Sequence, residues 1–152
     1  MSQPPAVPNH KKLASWTACR IDPVFSLDPR RREYGHWWLE VGESESYGFW
    51  PDAPVGGVVQ TLRGVSGAVN ARNFCPNPRR DRHHGDRGAG IHEFDVWAPD
   101  GVDEVDLLVR ARAFADGFLA RWAWPATPLT GENCHSFQEK LLKALSLRVT
   151  PR

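Results

Sequence analysis

Residues 34–41 and 46–50 constrain the fold of this 152-residue chain more than any other stretch. The first reads Tyr-Gly-His-Trp-Trp-Leu-Glu-Val and the second Ser-Tyr-Gly-Phe-Trp; Gly42-Glu43-Ser44-Glu45 separates them and Pro51 halts the second. Aromatic and β-branched side chains suit a pleated, half-buried surface, and a glycine-led polar tetrapeptide between two such runs is a turn. The pattern predicts a β-hairpin. Trp37 and Trp38 are adjacent, so on a strand they point to opposite faces, one to a core and the other to a groove or a partner surface.

The rest of the chain supplies what such a hairpin packs against. Residues 1–12 are polar and hold Pro4, Pro5 and Pro8, which predicts a loose tail ahead of a single domain over 13–152. A short strand is expected around Trp16 to Ile21, stopped by Asp22-Pro23. Residues 52–90 are rich in Gly, Pro, Asn and Arg, with one apolar piece from Val55 to Leu62, and read as a long loop. A strand follows over 91–98, then a Pro99-Asp100-Gly101 turn. Val102, Val105, Leu108, Val109 and Ala113 then recur at helical spacing up to Gly117. A short strand over 119–124, closed by Pro125 and Pro128, leads to a last helix from about Asn133 to Leu147. Hairpin, loop, strand, helix, strand, helix is an α+β order, in which an antiparallel sheet packs against helices.

Composition narrows the function. A net charge of +1 gives no basic field of the kind nucleic-acid binding needs, so the partner is expected not to be nucleic acid. Three cysteines, Cys19, Cys75 and Cys134, are an odd number without CxxC spacing, which argues against a disulfide framework and a cysteine-rich zinc site. No stretch approaches the roughly 18 apolar residues of a membrane span, and the prolines of the first ten residues interrupt any signal-peptide core. A cytoplasmic location in the producing cell is the expectation. The function must then reside in a site.

Asn133-Cys134-His135-Ser136-Phe137 is the candidate. It puts a cysteine in the first turn of the last helix, with Phe137, Leu141 and Leu145 marking the buried face. Unpaired N–H groups and the helix dipole favour negative charge there, so a thiolate forms more readily than elsewhere. A nucleophilic cysteine needs a base. Of six histidines, His10 lies in the tail, and His135 points about 100° away from Cys134 on a helix. His36, inside a strand between Gly35 and two tryptophans, is the best candidate. Asp81, His83, His84, Asp86 and His92 also carry metal-ligating groups, so a metal-dependent hydrolase using the His83/His84 loop stays open. So does a non-enzymatic module that binds a protein partner through the aromatic sheet and the Arg/His loop.

A histidine early in a strand hairpin, followed much later by a cysteine at a helix start within Asn-Cys-x-x-Phe, resembles the circularly permuted papain-like hydrolases. That group includes the lecithin retinol acyltransferase-like enzymes and permuted relatives of NlpC-type cell-wall peptidases. The resemblance covers residues 34–50 and 131–145. It implies a permuted papain-like arrangement, no cofactor and no bound metal, with Cys134 as nucleophile, His36 as base and the Cys134 backbone N–H as oxyanion donor. The substrate it implies is an amide in a peptide or peptidoglycan stem, cleaved through an acyl-enzyme; an acyltransferase or thioesterase would use the same pair. Some proteins of this kind resemble secreted antibacterial effectors or toxins, which would add delivery by a specialised secretion system and a cognate inhibitor or secretion-machine protein as partners. The family's third residue lies on the strand after the histidine, and here that strand offers Phe49 and Trp50. Glu40 shares a face with His36 but sits about 13 Å along the strand. Glu93, Asp95, His84 and Asp86 are the remaining candidates to orient His36.

Iodoacetamide at neutral pH should label Cys134 much faster than Cys19 or Cys75, read by peptide mass mapping. Equal, slow labelling of all three would contradict the nucleophile assignment.

Overall fold

The computed structural model describes residues 6–23, 35–124 and 130–152. Its elements are β1 (His10–Ile21), β2 (His36–Val41), β3 (Glu45–Tyr47), β4 (Phe49–Pro51), α1 (Val58–Arg63), β5 (Val65–Val69), β6 (Ile91–Pro99), α2 (Glu104–Gly117), β7 (Arg121–Trp122), α3 (Cys134–Ala144) and β8 (Arg148–Pro151). Strands β3-β2-β1-β6-β8 form one antiparallel sheet and β4-β5-β7 a smaller one. The α+β class with an antiparallel sheet backed by helices is therefore observed. Tyr34, residues 1–5 of the tail, Pro125 and Pro128 lie outside the described residues. Among the described residues no helix is long and apolar enough to cross a membrane.

Strand β2 is covered on both faces. Leu39 and Val41 join Trp16, Phe137 and Leu141 in the apolar core, where α3 packs on β2. The alternate residues His36, Trp38 and Glu40 face the loop after β5. Trp38 packs on His83, and Glu40 accepts from Gly85 N (2.7 Å) and the Arg87 guanidinium (2.8 Å). Of the strand tryptophans, Trp16, Trp38, Trp97 and Trp122 are buried.

Four expectations change. The return strand breaks at Gly48: β3 pairs with β2, whereas β4 leaves to pair with β5. The stretch over 52–90 is not one loop, because α1 and β5 lie within it. Residues 10–12 are not tail; they open β1 and pair with Pro99, Ala98 and Trp97 of β6. The final helix stops at Ala144, Ser146 turns at φ 55°, and residues 148–151 close the sheet as β8. Buried Leu145 and Leu147 prolong the apolar spacing past the helix, so periodicity alone could not find its end.

The residues after β5 pack Phe74 on Trp50 and bury Ala71 and Cys75, and a set of polar bonds ties them to the strands. Asn70, buried and at φ 49°, donates from Nδ2 to Ser46 O (2.8 Å) and Pro78 O (3.0 Å), and its Oδ1 accepts from Gly48 N (3.2 Å). Asparagine tolerates the left-handed region and supplies both donors and acceptor, which few side chains combine. Asn70→Ala strands those buried groups and should cost roughly 2–4 kcal/mol in urea unfolding. A loss under about 0.5 kcal/mol would show that the loop is anchored elsewhere.

Candidate active site

Helix α3 starts with a reciprocal cap. Asn133 Oδ1 accepts from Ser136 N (3.0 Å), and Ser136 Oγ accepts from Asn133 N (2.9 Å). This pair fixes Cys134 as the first helical residue, 5% exposed, where the backbone N–H has no carbonyl partner within the helix. His36 is the first residue of β2, 4% exposed. Its ring lies against Trp50, with centroids 3.9 Å apart, and parallel to Trp38 at 6.0 Å.

The carboxylate on His36 is Asp81. His36 Nε2 donates to Asp81 Oδ2 at 2.7 Å, and Trp50 Nε1 donates to the same oxygen at 2.8 Å. Asp81 Oδ1 accepts from His83 N (2.9 Å), while Asp81 N donates to Ser46 Oγ (2.8 Å). With Nε2 committed to Asp81, Nδ1 is the nitrogen left to act on Cys134, whose thiol and the His36 ring shift each other's ionisation. Cys134, His36 and Asp81 thus form a connected line in that order.

Electrostatics follow from this arrangement. Burial alone would hold the Asp81 carboxyl neutral, yet the His36 charge and hydrogen bonds from His36, His83 and Trp50 keep it below the usual carboxylate range. Burial disfavours a charged His36, but Asp81, and to a smaller degree Cys134, raise it to about 9. Burial likewise pushes the Cys134 thiol up; hydrogen bonds from His135 and His36, together with the His36 charge, outweigh it and bring the thiol down to about 6. Cys19 and Cys75 lack such partners. Burial, aided by Glu40 at Cys19 and by Asp81 at Cys75, pushes both to about 12. Between about pH 6 and pH 9 the favoured state is therefore thiolate with imidazolium.

A cleft of ≈ 480 Å³ opens beside the pair, walled by Trp50, Phe74, Trp122 and Trp124, with Arg82 and His83 at its lining. The chemistry open to this geometry is attack of a buried thiolate on an electrophilic carbon held between aromatic walls, with a proton available on His36.

The four residues expected to orient His36 lie elsewhere. Ile21 of β1 pairs with both His36 and Ile91, so Glu93 and Asp95 fall two and four residues along β6, beyond β1. Glu93 pairs with Arg87 (2.9 Å) and Arg152 (2.8 Å), and Asp95 with Arg152 (2.6 Å) and Lys12 (3.3 Å). Asp86 accepts from His83 Nδ1 at 2.9 Å, and His84 makes no bond to His36. Nor do the loop histidines converge: Asp81 faces His36, His83 pairs with Asp86 and His92 with Asp22. Among the described residues no group of three or more His, Cys, Asp or Glu is arranged to hold a metal ion.

Two site residues escaped the sequence reading. Asp81 sits in a stretch without periodicity, and only its Asp-x-His step hinted at a turn that holds its own backbone. His135 was set aside on helical angle, yet its side chain helps to lower the Cys134 thiol. Gly48 is the third requirement. A Cβ there would lie 2.1 Å from Asp81 Oδ2 and 2.6 Å from His36 Nε2, so only glycine lets the pair close against the backbone.

Compared with protein-family models, curated proteins and solved structures, the chain matches none.

The rate of Cys134 alkylation by iodoacetamide should rise through about pH 6 and be flat by pH 8, because the lowered thiol is ionised above that point. Gly48→Ala, which parts His36 from Asp81, should move the rise upward by at least one pH unit, a tenfold change in thiolate at fixed low pH. An unshifted curve would dissociate the thiol from the His36–Asp81 pair.

Proposed function

We propose that this protein is a cysteine-dependent hydrolase with permuted papain-like chemistry, which cleaves an amide bond through an acyl-enzyme. The observation that carries the reading is the 2.7 Å bond from buried His36 to buried Asp81, with Cys134, at a helix start, acting on the same imidazole. The order His36, Asp81, Cys134 along the chain places the base before the nucleophile, as the permuted arrangement requires.

The Cys134 thiolate attacks the carbonyl carbon and the π pair moves onto oxygen, where the Cys134 backbone N–H donates to it. Collapse of the adduct expels the amine, which takes its proton from the His36 imidazolium. His36, now neutral, removes a proton from water, the hydroxide attacks the thioester, and the acid and thiolate are released. Asp81 fixes the ring so that Nδ1 faces sulfur and stabilises the imidazolium throughout. With an alcohol or amine in place of water the same steps give acyl transfer, and with a thioester substrate they give thioesterase activity. A peptide or peptidoglycan stem is the substrate class that the family resemblance supports, and Trp50, Phe74, Trp122 and Trp124 offer it apolar walls.

A burst assay with p-nitrophenyl acetate tests the reading. Wild-type protein should release one equivalent of nitrophenol in a fast phase and carry an acetyl group on Cys134 by mass spectrometry. Cys134→Ser should lose the burst, and Asp81→Asn should slow it by roughly 10²-fold or more. Wild-type protein that never carries an acyl group on Cys134 would overturn the proposal.

A further inference from the structure

Arg20, Trp37 and His135 form a stack that the chemistry above does not use. The Arg20 guanidinium lies 3.7 Å from the centroid of Trp37, and on Trp37 the His135 imidazole stacks at 3.9 Å with planes 22° apart. Trp124, a wall of the cleft, meets the same imidazole edge to face at 4.8 Å. His135 is thus gripped by two indoles, one of them a wall of the cleft, one residue after the nucleophile. Among the described residues Arg20 makes no salt bridge, although the Glu139 charge acts on it, and its Nε is buried without a hydrogen bond, so its guanidinium rests against the rings of Trp37 and Phe94. An electron-rich indole with a cation on one face and an imidazole on the other is an arrangement that costs desolvation at Arg20, and it orders the imidazole next to the Cys134 thiol, which that imidazole helps to lower.

We propose that His135 is a second oxyanion donor, held by the Arg20–Trp37 stack so that its N–H passes from the Cys134 sulfur to the substrate oxygen as the tetrahedral adduct forms. The inference rests on the acyl-enzyme reading and deepens it. In the resting state the sulfur carries the negative charge and His135 donates to it. On attack the sulfur lone pair becomes the C–S bond and the carbonyl π pair becomes the oxyanion, on an atom one bond from the carbon that sulfur now holds. The donor has then lost its anion and the new anion lies within its reach. No proton is transferred by His135 in this step. It works beside the Cys134 N–H, because one backbone donor leaves a lone pair of the oxyanion unmet.

Two reactions of the same thiolate separate this role from simple support of sulfur. Alkylation by iodoacetamide displaces iodide and makes no oxyanion, whereas acylation by p-nitrophenyl acetate does. Both should be followed to their high-pH plateaus, where ionisation of the thiol is complete. His135→Ala should slow acylation by about 10²-fold with alkylation within about threefold of wild type. His135→Gln, which keeps a side-chain N–H, should recover about tenfold of the acylation loss. Trp37→Leu should resemble His135→Ala, and Trp37→Phe, which keeps an aromatic face, should resemble wild type. Equal falls in both reactions for His135→Ala, or no fall, would overturn the donor role while leaving the hydrolase intact. Wild-type protein that is alkylated at Cys134 but never acylated would overturn the hydrolase reading, and this inference with it.

Discussion

The bond between His36 and Asp81 is the interaction on which the rest of the site depends. A carboxylate that is 1% exposed costs several kcal/mol in lost hydration unless every lone-pair region is met. Here Oδ2 receives His36 and Trp50, and Oδ1 receives the His83 backbone. The cost is offset by a charge-assisted geometry that holds the imidazole protonated, and the protonated imidazole in turn stabilises a thiolate in a place that burial alone would keep neutral. Three ionisable groups are thereby coupled in one line.

Several features of the fold become intelligible as conditions for that bond. The break between β3 and β4 at Gly48 removes a side chain from the spot where the carboxylate and imidazole meet. Asn70 ties both sides of the break to the turn at Pro78, three residues before Asp81. Ser46 holds the Asp81 backbone from β3. The polar loop after β5 is thus ordered by the strands it crosses, and it delivers a carboxylate that no sheet register could have placed beside the first residue of β2.

What the sequence disclosed and what it concealed divide along physical lines. The hairpin, the antiparallel sheet with helices and the position of Cys134 were legible because they rest on side-chain periodicity and a capping pattern, which are local. His36 was legible because a histidine amid strand tryptophans is conspicuous. Asp81 was not, since the contact spans 45 residues and is made through hydrogen bonds that leave no periodic trace. Glu93 and Asp95 were candidates from the next strand, yet strand register carries them away from His36 and into pairs with Arg87, Arg152 and Lys12. His135 was missed for the opposite reason: helical angle describes where a Cβ points, and it says nothing of an imidazole held between Trp37 and Trp124 whose side chain acts on the neighbouring thiol.

The central claim is that His36 stands as an imidazolium between Asp81 and a thiolate at neutral pH. Nitrogen-15 NMR of the His36 ring at pH 7.5 tests it most directly. The account predicts that both ring nitrogens carry protons, Nε2–H directed at Asp81 and Nδ1–H at Cys134. A neutral ring at that pH, with one nitrogen unprotonated, would contradict it.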